Sequence, residues 1–345
     1  MSKTFGKAVV HDFGGTHSWP VAVTIPARNE ARRLLACLNT TSASLRGRGG
    51  IVVAVNGSTD ETFALAEAWF RATGSSGILI NEAEPPQGSG VGRARRLAIA
   101  ACERRLADGA VVMTSDADSC VAGDWVDANF AELNGADLIC GTVQPDPEEF
   151  AQLPATIGRR GAIEGEYMAL TIAARTLLDP VPHDPAPTHL NAAGASLAFR
   201  MGLYHDVGGI PDLQLGEDRA FVAIAEKRGW RIRHSARAQV NTACRLRGRT
   251  SGGMAGALRA RITEPDPLVD ELLEPSRQTL LRARLRGALR KRCADSAGFE
   301  QEWKEVEKRP DLQRVRLRLS DLTRELPFLT AAVAGLTSLP ERRSA

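Results

Sequence analysis

Short apolar runs alternate with longer segments of helical periodicity along the first 140 or so residues. The runs VAVTI (21–25) and AVVMT (110–114) are short and rich in β-branched side chains, which is typical of buried strands. Between such runs, apolar residues recur at helical spacing, as Leu34, Leu35 and Leu38 do. Five short strands separated by helices predict an α/β fold with a largely parallel central sheet.

Polar clusters follow three of the predicted strands directly. They are PARNE (26–30), NGSTD (56–60) and SDADS (115–119). In a parallel sheet the carboxyl ends of the strands lie at one edge, and ligands bind there. The sequence therefore predicts a ligand site at which these three clusters meet.

Asp116 and Asp118 are separated by a single residue, which creates an electrostatic problem. If the strand continued through them, both carboxylates would lie on the same face. Like charges at that distance repel, so either one is protonated, or water screens them, or a cation lies between them. The pair alone leaves these three explanations open.

The pattern changes after residue 141. Proline-rich segments bracket a predicted helix near Ile163 to Leu178, and later strands are predicted to join the same sheet. From about Arg261 onward the sequence is mainly helical and charged. Its basic segment, 277–292, carries leucines at intervals of four (281, 285 and 289), which predicts a core-facing stripe with the arginines on the outer face.

Composition narrows the class of protein. The chain has 345 residues, of which 43% are hydrophobic and 25% charged, and its formal net charge is +3. So small a charge gives no general affinity for nucleic acid, and no apolar run is long enough to span a bilayer. The six cysteines are scattered and several lie in apolar runs, which indicates free thiols in a reducing, cytoplasmic compartment.

The glycine-rich cluster QGSGVGRARR (87–96) differs from a dinucleotide-binding fingerprint. Arg93 stands where the third glycine would be needed, and the cluster follows the third predicted strand rather than the first. This spacing excludes a nicotinamide dehydrogenase. Two interpretations remain: a flexible loop before a helix, or a helix start at which Arg93 and Arg95 face an anion.

The order of the motifs resembles that of the family 2 glycosyltransferases of GT-A fold, which are nucleotide-sugar-dependent and usually inverting enzymes. The similarity extends over roughly residues 20–250 and is carried by VTIPARNEA, VVAVNGSTDET, GVGRARRLAIA, TSDADS and GASLAFR…GGIPDLQLGEDRAF. It implies a Rossmann-like GT-A catalytic domain over residues 1–260. Within it, 20–140 would bind the nucleotide sugar and 141–260 the acceptor, followed by a helical C-terminal extension over 261–345.

The same resemblance implies a site for a UDP- or GDP-sugar. Asn56 stands where members of the family often have an Asp or Asn that contacts the edge of the nucleotide base. Val55 replaces the preceding aspartate of the common motif, so the identity of the base stays open. The full set expected to bind the nucleotide sugar is Pro26, Ala27, Glu30, Asn56, Arg93, Arg95, Asp116 and Arg249.

Asp116 and Asp118 match the D-x-D motif of that family, in which the second acid binds a metal ion and the first reaches the ribose or the metal's water. Mn²⁺ or Mg²⁺ would reverse the repulsion between these carboxylates and a diphosphate. Asp218 matches the proposed catalytic base, with Glu217 beside it towards the acceptor. On the residues alone, both acids are also ordinary first-turn residues of a helix.

A basic loop follows the last predicted strand. Arg245, Arg247 and Arg249, with glycines around them, are consistent with a mobile clamp on the diphosphate or the acceptor, and equally with a solvated loop. His234 is a weaker candidate for a third metal ligand.

These features together predict a metal-dependent, inverting glycosyltransferase with a hydroxyl acceptor. One alternative is transfer to a polyprenyl phosphate at a membrane surface, where 277–292 would contact lipid headgroups or a phosphate-bearing acceptor. Another is a non-catalytic nucleotide-sugar-binding protein. Peripheral membrane contact is compatible with the sequence, whereas a nucleic-acid partner and an integral membrane segment are not expected.

Overall fold

Nine strands form one sheet within the residues that the computed structural model describes, which are 8–246, 248, 254–293 and 295–338. In chain order they are β1 (Val9–Phe13), β2 (Trp19–Ala27), β3 (Gly50–Asn56), β4 (Gly77–Glu82), β5 (Leu106–Thr114), β6 (Ser119–Val121), β7 (Leu138–Pro145), β8 (Leu197–Arg200) and β9 (Ile232–Thr242). The order across the sheet is β1-β4-β3-β2-β5-β8-β7-β9-β6.

Twelve α-helices surround this sheet in the same described part of the chain. They are α1 (Leu34–Leu45), α2 (Thr62–Thr73), α3 (Val91–Cys102), α4 (Trp125–Glu132), α5 (Pro147–Ala151), α6 (Ala155–Leu178), α7 (Met201–Asp206), α8 (Glu217–Lys227), α9 (Met254–Thr263), α10 (Ser276–Arg290), α11 (Ser296–Val306) and α12 (Leu319–Ser338).

The prediction of an α/β fold is confirmed. Strands β4, β3, β2 and β5 are mutually parallel, as the alternation of strands and helices predicted. The sheet as a whole is mixed, because β8 runs antiparallel to both β5 and β7. The edge strand β1 pairs antiparallel with β4 and was not predicted, since its sequence, VVHDF, mixes apolar and polar residues.

Two layers of helices cover the sheet. On one face, α1, α2 and α4 contribute buried side chains such as Leu38, Phe70 and Trp125. On the other face, α3 packs its small residues, among them Ala94 and Ala98, against β2, β3 and β4. Each fully buried large apolar side chain contributes about 1.5–3 kcal/mol, so this double layer fixes the sheet and with it the carboxyl ends of β2, β3 and β5.

The C-terminal helices pack on α6 rather than standing apart. Tyr167 of α6 is fully buried together with Leu322 and Leu329 of α12, and its hydroxyl donates to the carbonyl oxygen of Glu274 at 2.7 Å. The described helices include none that is long and apolar enough to cross a membrane.

The basic helix α10 differs from its prediction. Leu289 is buried as expected, but the expectation that the arginines face outward is wrong for Arg282, Arg286 and Arg290. Arg290 lies with its guanidinium carbon 4.0 Å from the ring centroid of Phe299, in the adjacent helix. Aromatic faces and carboxylates from distant parts of the chain provide an inner surface on which these cations are stable.

Candidate active site

Arg95 lies at the centre of the candidate site. Its side chain is only 3% exposed; Nη2 donates to Asp116 Oδ1 at 2.5 Å and Nε donates to Glu217 Oε1 at 3.0 Å. Nη1 donates to the carbonyl oxygen of Gly194 at 3.1 Å. Burial disfavours the charged form, but the neighbouring carboxylates hold the pKa of Arg95 above its ordinary value. A permanent buried cation therefore joins the end of β5 to the start of α8.

Gly194 is the backbone partner of this cation. Its N–H donates to Asp218 Oδ2 at 2.7 Å, and its carbonyl oxygen also accepts from Thr114 Oγ1 at 2.6 Å. A Cβ added at this position would lie 2.2 Å from Arg95 Nη2, so the guanidinium fits only because the residue is glycine.

Asp116 and Asp118 do not lie on one continuous strand. They occupy a turn between β5 and β6, closed by a hydrogen bond from the Ser119 N–H to the Asp116 carbonyl oxygen at 3.0 Å. Asp116 pairs with Arg95 and Asp118 with Arg245, so each carboxylate has its own guanidinium. Burial and the charge of Asp116 raise the pKa of Asp118, and Arg245 opposes that rise.

Arg245 bridges two of the polar clusters. Its Nη2 contacts Asp118 Oδ2 and donates to Glu30 Oε1 at 2.7 Å. Glu30 lies just after β2, so the clusters that follow β2 and β5 meet through this arginine.

The clusters that follow β2 and β3 are joined by hydrogen bonds between their loops. The N–H of Asn29 donates to Ser58 Oγ at 3.0 Å, and Asn29 Oδ1 accepts from the Thr59 N–H at 2.8 Å. The N–H of Glu30 donates to Thr62 Oγ1 at 2.8 Å. The prediction that the three clusters meet at one edge of the sheet is confirmed.

Asp218 and Glu217, the two candidate catalytic acids, open α8 in different environments. Asp218 is half-buried, and its Oδ1 accepts from the N–H of Arg219 at 2.8 Å. Glu217 is 3% exposed, and burial raises its pKa against the effect of Arg95. The structure thus places Glu217 inside the protein as the partner of Arg95, whereas the family resemblance implies a position towards the acceptor.

Asn56 and Arg93, expected near the nucleotide, converge on a third residue. Asn56 Nδ2 donates to Glu82 Oε2 at 3.1 Å, and Arg93 Nη2 donates to Glu82 Oε1 at 2.5 Å. Arg93 therefore pairs with a carboxylate of the protein at the end of β4. Pro26 and Ala27 are buried residues of β2, so they present backbone rather than side chain to the edge of the sheet.

The glycine-rich cluster has a packing role. A Cβ on Gly90 would lie 2.3 Å from the Gln214 Cα, and one on Gly92 would lie 2.4 Å from the Pro211 carbonyl oxygen. These glycines allow the start of α3 to contact the loop that leads into α8, and so they help to place Asp218.

Of the two remaining predicted elements, one is not described by the structure and the other lies away from the site. Arg247 and Arg249 are outside the described residues, as are Gly252 and Gly253. His234 Nδ1 is 2.9 Å from Asp184 Oδ2 near the start of β9. The Thr242 end of β9 pairs with β6 beside Asp118, and the paired strand β7 covers the distance between His234 and Thr242 in five residues, from Cys140 to Pro145. At about 3.3 Å per residue, His234 is thus roughly 17 Å from that end.

The donor atoms present suit a divalent cation that is shared with a phosphate ligand. Asp118 and Asp116 provide carboxylate oxygens, which Mg²⁺ and Mn²⁺ prefer. Among the described residues, no group of three His, Cys, Asp or Glu side chains could hold a metal ion by itself. Mg²⁺ is commonly held in this way, by one or two carboxylates together with substrate phosphates and water.

Residues 22–188, which contain β2 to β5 and the D-x-D turn, match the model of Glycosyl transferase family 2. This stretch, just under half of the chain, belongs to that family. Glycosyltransferases of this family move a sugar from a nucleotide-sugar donor, so the chain is an enzyme of that class. No curated protein matches it.

Several solved glycosyltransferases are similar to this one. The mannosyltransferase PcManGT from Pyrobaculum calidifontis, in complex with GDP-Man and Mn²⁺, is 18% identical over 94% of this chain and 79% of that chain, with a TM-score of 0.47. S. aureus TarS 1-349 in complex with UDP-GlcNAc is 16% identical over 92% and 83%, with a TM-score of 0.47. Glucosyl-3-phosphoglycerate synthase from Mycobacterium tuberculosis is 19% identical over 70% and 76%, with a TM-score of 0.43.

A longer TarS structure is matched over a smaller share of its length. That match covers 65% of this glycosyltransferase and 36% of the TarS chain. The chain thus spans about a third of that protein.

Two residues of the site, Glu82 and Gly194, were not singled out from the sequence. Glu82 ends β4 and therefore stands at the same edge as the three clusters, but it belongs to the strand GILINE rather than to a polar loop. Gly194 opens the motif GASLAFR, which contributed to the resemblance, but the sequence assigned no role to this glycine.

Proposed function

We propose that this glycosyltransferase, of GT-A architecture, transfers a sugar from a UDP- or GDP-sugar to a hydroxyl acceptor with inversion, using Mn²⁺ or Mg²⁺. The observation that carries the proposal is the pairing of Arg95 with both Asp116 and Glu217. It brings the D-x-D turn, where the donor diphosphate would bind, next to Asp218, the residue that would activate the acceptor.

On the donor side, Asp118 and Asp116 would bind the cation and the ribose, respectively. The carboxylates of the turn would repel a diphosphate wherever no cationic group offsets their charge. When bound, the metal ion would stabilise the charge on the leaving diphosphate, an effect worth several kcal/mol. Arg95 keeps Asp116 oriented through its 2.5 Å contact.

The nucleoside would lie against the edge formed by β2 and β3. Pro26 and Ala27 offer a flat, buried backbone there. Asn56 donates to Glu82, which fixes its side chain, and its amide oxygen would be the group left to contact a base edge.

On the acceptor side, Asp218 would act as the general base. Backbone N–H groups of Gly194 and Arg219 hold its two oxygens, which fixes the direction of the carboxylate. It would take the proton of the acceptor hydroxyl as the new oxygen–carbon bond forms at the anomeric carbon and the bond to the diphosphate breaks. A base in this position contributes roughly 10²- to 10⁴-fold to the rate.

The buried arginines of α10 weaken the alternative of transfer to a polyprenyl phosphate at a membrane. Arg282 and Arg286 pair with carboxylates of the protein, Glu274 and Asp179 among them. Engaged in this way, they are poorly placed to contact lipid headgroups.

A thermal-shift screen tests the proposal. UDP, GDP and their sugars are added with Mn²⁺ or with EDTA to the wild type and to Asp118→Ala. We expect one nucleotide family to raise the Tm of the wild type in the presence of Mn²⁺, because ligand binding stabilises the folded state by RT ln(1 + [L]/Kd).

Two results would contradict the proposal. No shift with any nucleotide would exclude nucleotide-sugar binding altogether. A shift without release of the nucleoside diphosphate from any sugar donor, over a panel of hydroxyl acceptors, would favour the non-catalytic binding protein.

A further inference from the structure

The two arginines that neutralise the D-x-D turn are held very differently. Arg95 belongs to α3, is 3% exposed and contacts two carboxylates and a carbonyl oxygen. Arg245 follows β9 outside any helix or strand, and its side chain is 19% exposed. Its Nη1 is enclosed but meets no acceptor in the described part of the chain. Arg245 therefore loses fewer contacts than Arg95 would if it moved away.

Arg245 occupies carboxylate oxygens that a cation would need. Its Nη2 contacts Asp118 Oδ2 and lies 2.7 Å from Glu30 Oε1. The side chains of Asp118 and Glu30 are only 16% and 7% exposed, so a positive charge between them is needed to offset their repulsion. A divalent cation could meet the same need, but the guanidinium and the cation repel each other and compete for the same oxygen.

A diphosphate offers Arg245 another partner. A guanidinium binds phosphate oxygens with two parallel hydrogen bonds, as it binds a carboxylate. Arg245 has donors to spare for such a contact, since Nη1 lacks an acceptor among the described residues.

We propose that Arg245 is the resident counter-ion of Asp118 and Glu30, that a divalent cation must displace it, and that it then binds the diphosphate of the donor. The second half of this proposal rests on the proposed function, whereas the first half concerns the cation alone. Because coupling between two ligands is reciprocal, nucleotide and metal ion would each strengthen the binding of the other.

Mn²⁺ binding measured by the electron paramagnetic resonance signal of the free ion tests the first half without any nucleotide. The proteins are the wild type, Arg245→Met, Arg245→Lys and the control Arg48→Met, which removes an arginine paired with Asp127 on another surface. We expect Arg245→Met to bind Mn²⁺ at least about tenfold more tightly than the wild type, a difference of about 1.4 kcal/mol. Arg245→Lys, which keeps the charge, and Arg48→Met should stay within about threefold of the wild type. A damaged fold would lower the affinity, so a gain is specific to displacement.

Repeating the titration with saturating UDP or GDP tests the second half. We expect the nucleotide to tighten Mn²⁺ binding more in the wild type than in Arg245→Met, because only the wild type can move the guanidinium to the diphosphate.

Three outcomes would contradict either the displacement of Arg245 or the proposed function. Equal or weaker Mn²⁺ binding by Arg245→Met without nucleotide overturns the displacement. The wild type could also bind the nucleotide equally well with and without EDTA. Arg245 would then be a permanent substitute for the cation, and the proposed displacement would be overturned. Failure of every nucleotide to bind, with the tenfold gain intact, would overturn the proposed function and leave the displacement standing.

Discussion

Gly194 approaches Arg95 so closely that a Cβ added to it would lie 2.2 Å from the guanidinium nitrogen Nη2. The N–H of the same glycine holds Asp218 Oδ2 at 2.7 Å. One residue without a side chain therefore sets the relative positions of the buried cation and the candidate base.

Gly194→Ala should damage both stability and activity. The added methyl group overlaps a buried, fully engaged guanidinium, and overpacking of this kind costs about 1–3 kcal/mol of the free energy of unfolding. We also expect kcat/KM to fall at least about tenfold, because a small displacement of reacting groups has large effects on rate. Urea denaturation and nucleoside-diphosphate release measure the two quantities. The matched control is Gly158→Ala in α6, where a Cβ would meet nothing within 4 Å. Equal behaviour of the two variants would show that the contact with Arg95 has no effect.

Asp218→Asn should abolish turnover without weakening donor binding. The asparagine can still accept from the Gly194 N–H but cannot take the proton of the acceptor, so kcat should fall by roughly 10²- to 10⁴-fold. The Kd for the nucleotide should stay within about threefold of that of the wild type. Rate measurements with saturating donor, combined with titration calorimetry, separate the two effects. Parallel loss of binding and turnover would mean that Asp218 belongs to the donor site.

Glu217→Gln should differ from Asp218→Asn in its effect on stability. Glu217 is 3% exposed and pairs with Arg95, so the variant removes one charge of a buried ion pair but keeps an oxygen acceptor. We expect the free energy of unfolding to fall by about 1–3 kcal/mol, against less than about 1 kcal/mol for Asp218→Asn. Urea denaturation of both variants provides the comparison. The reverse order would indicate that Asp218, rather than Glu217, carries the structural role.

Glu300 in α11 should make stability depend on pH. Burial and the nearby charge of Glu226 raise the pKa of Glu300 from 4.5 to about 7, although Arg286 opposes the rise. The folded protein therefore binds this proton more tightly than the unfolded chain does, and stability is lost as the pH rises from about 4.5 to about 7. Glutamine does not titrate, so over this pH range the free energy of unfolding of Glu300→Gln should fall by about 1–3 kcal/mol less than that of the wild type.

The measurement for Glu300 is urea denaturation at intervals from pH 5 to pH 8. The control is Glu302→Gln, which makes the same chemical change on the same helix at a side chain that is 53% exposed. A difference between Glu300→Gln and the wild type that does not change with pH would show that Glu300 does not titrate abnormally.

The sequence was informative where the signal is local. Periodicities of two and of 3.6 residues identify strands and helices within a short window, so the α/β sheet and the three polar clusters at its edge could be predicted. The side-chain partners could not, because they are distant in the sequence: Arg95 and Glu217 are 122 residues apart, and Arg245 and Glu30 are 215 apart.

The same limit explains the arginines of α10. A stripe of leucines correctly indicated the buried side of the helix, with Leu289 inside. It could not indicate that Phe299 and Asp179 would provide partners for Arg290 on the inner surface. Arginine has an apolar stem and a charged head, so whether it faces inward depends on partners that lie elsewhere in the chain.

Calorimetric titration of the wild type and of Asp118→Ala with UDP and with GDP, each in Mn²⁺ and in EDTA, tests the central claim most directly. The claim is that the D-x-D turn binds a nucleoside diphosphate through a divalent cation. It predicts that the wild type binds one of the two nucleotides at least about tenfold more tightly in Mn²⁺ than in EDTA, and that Asp118→Ala loses this difference. Binding of neither nucleotide by the wild type, or an Asp118→Ala variant that responds to Mn²⁺ as the wild type does, would contradict it.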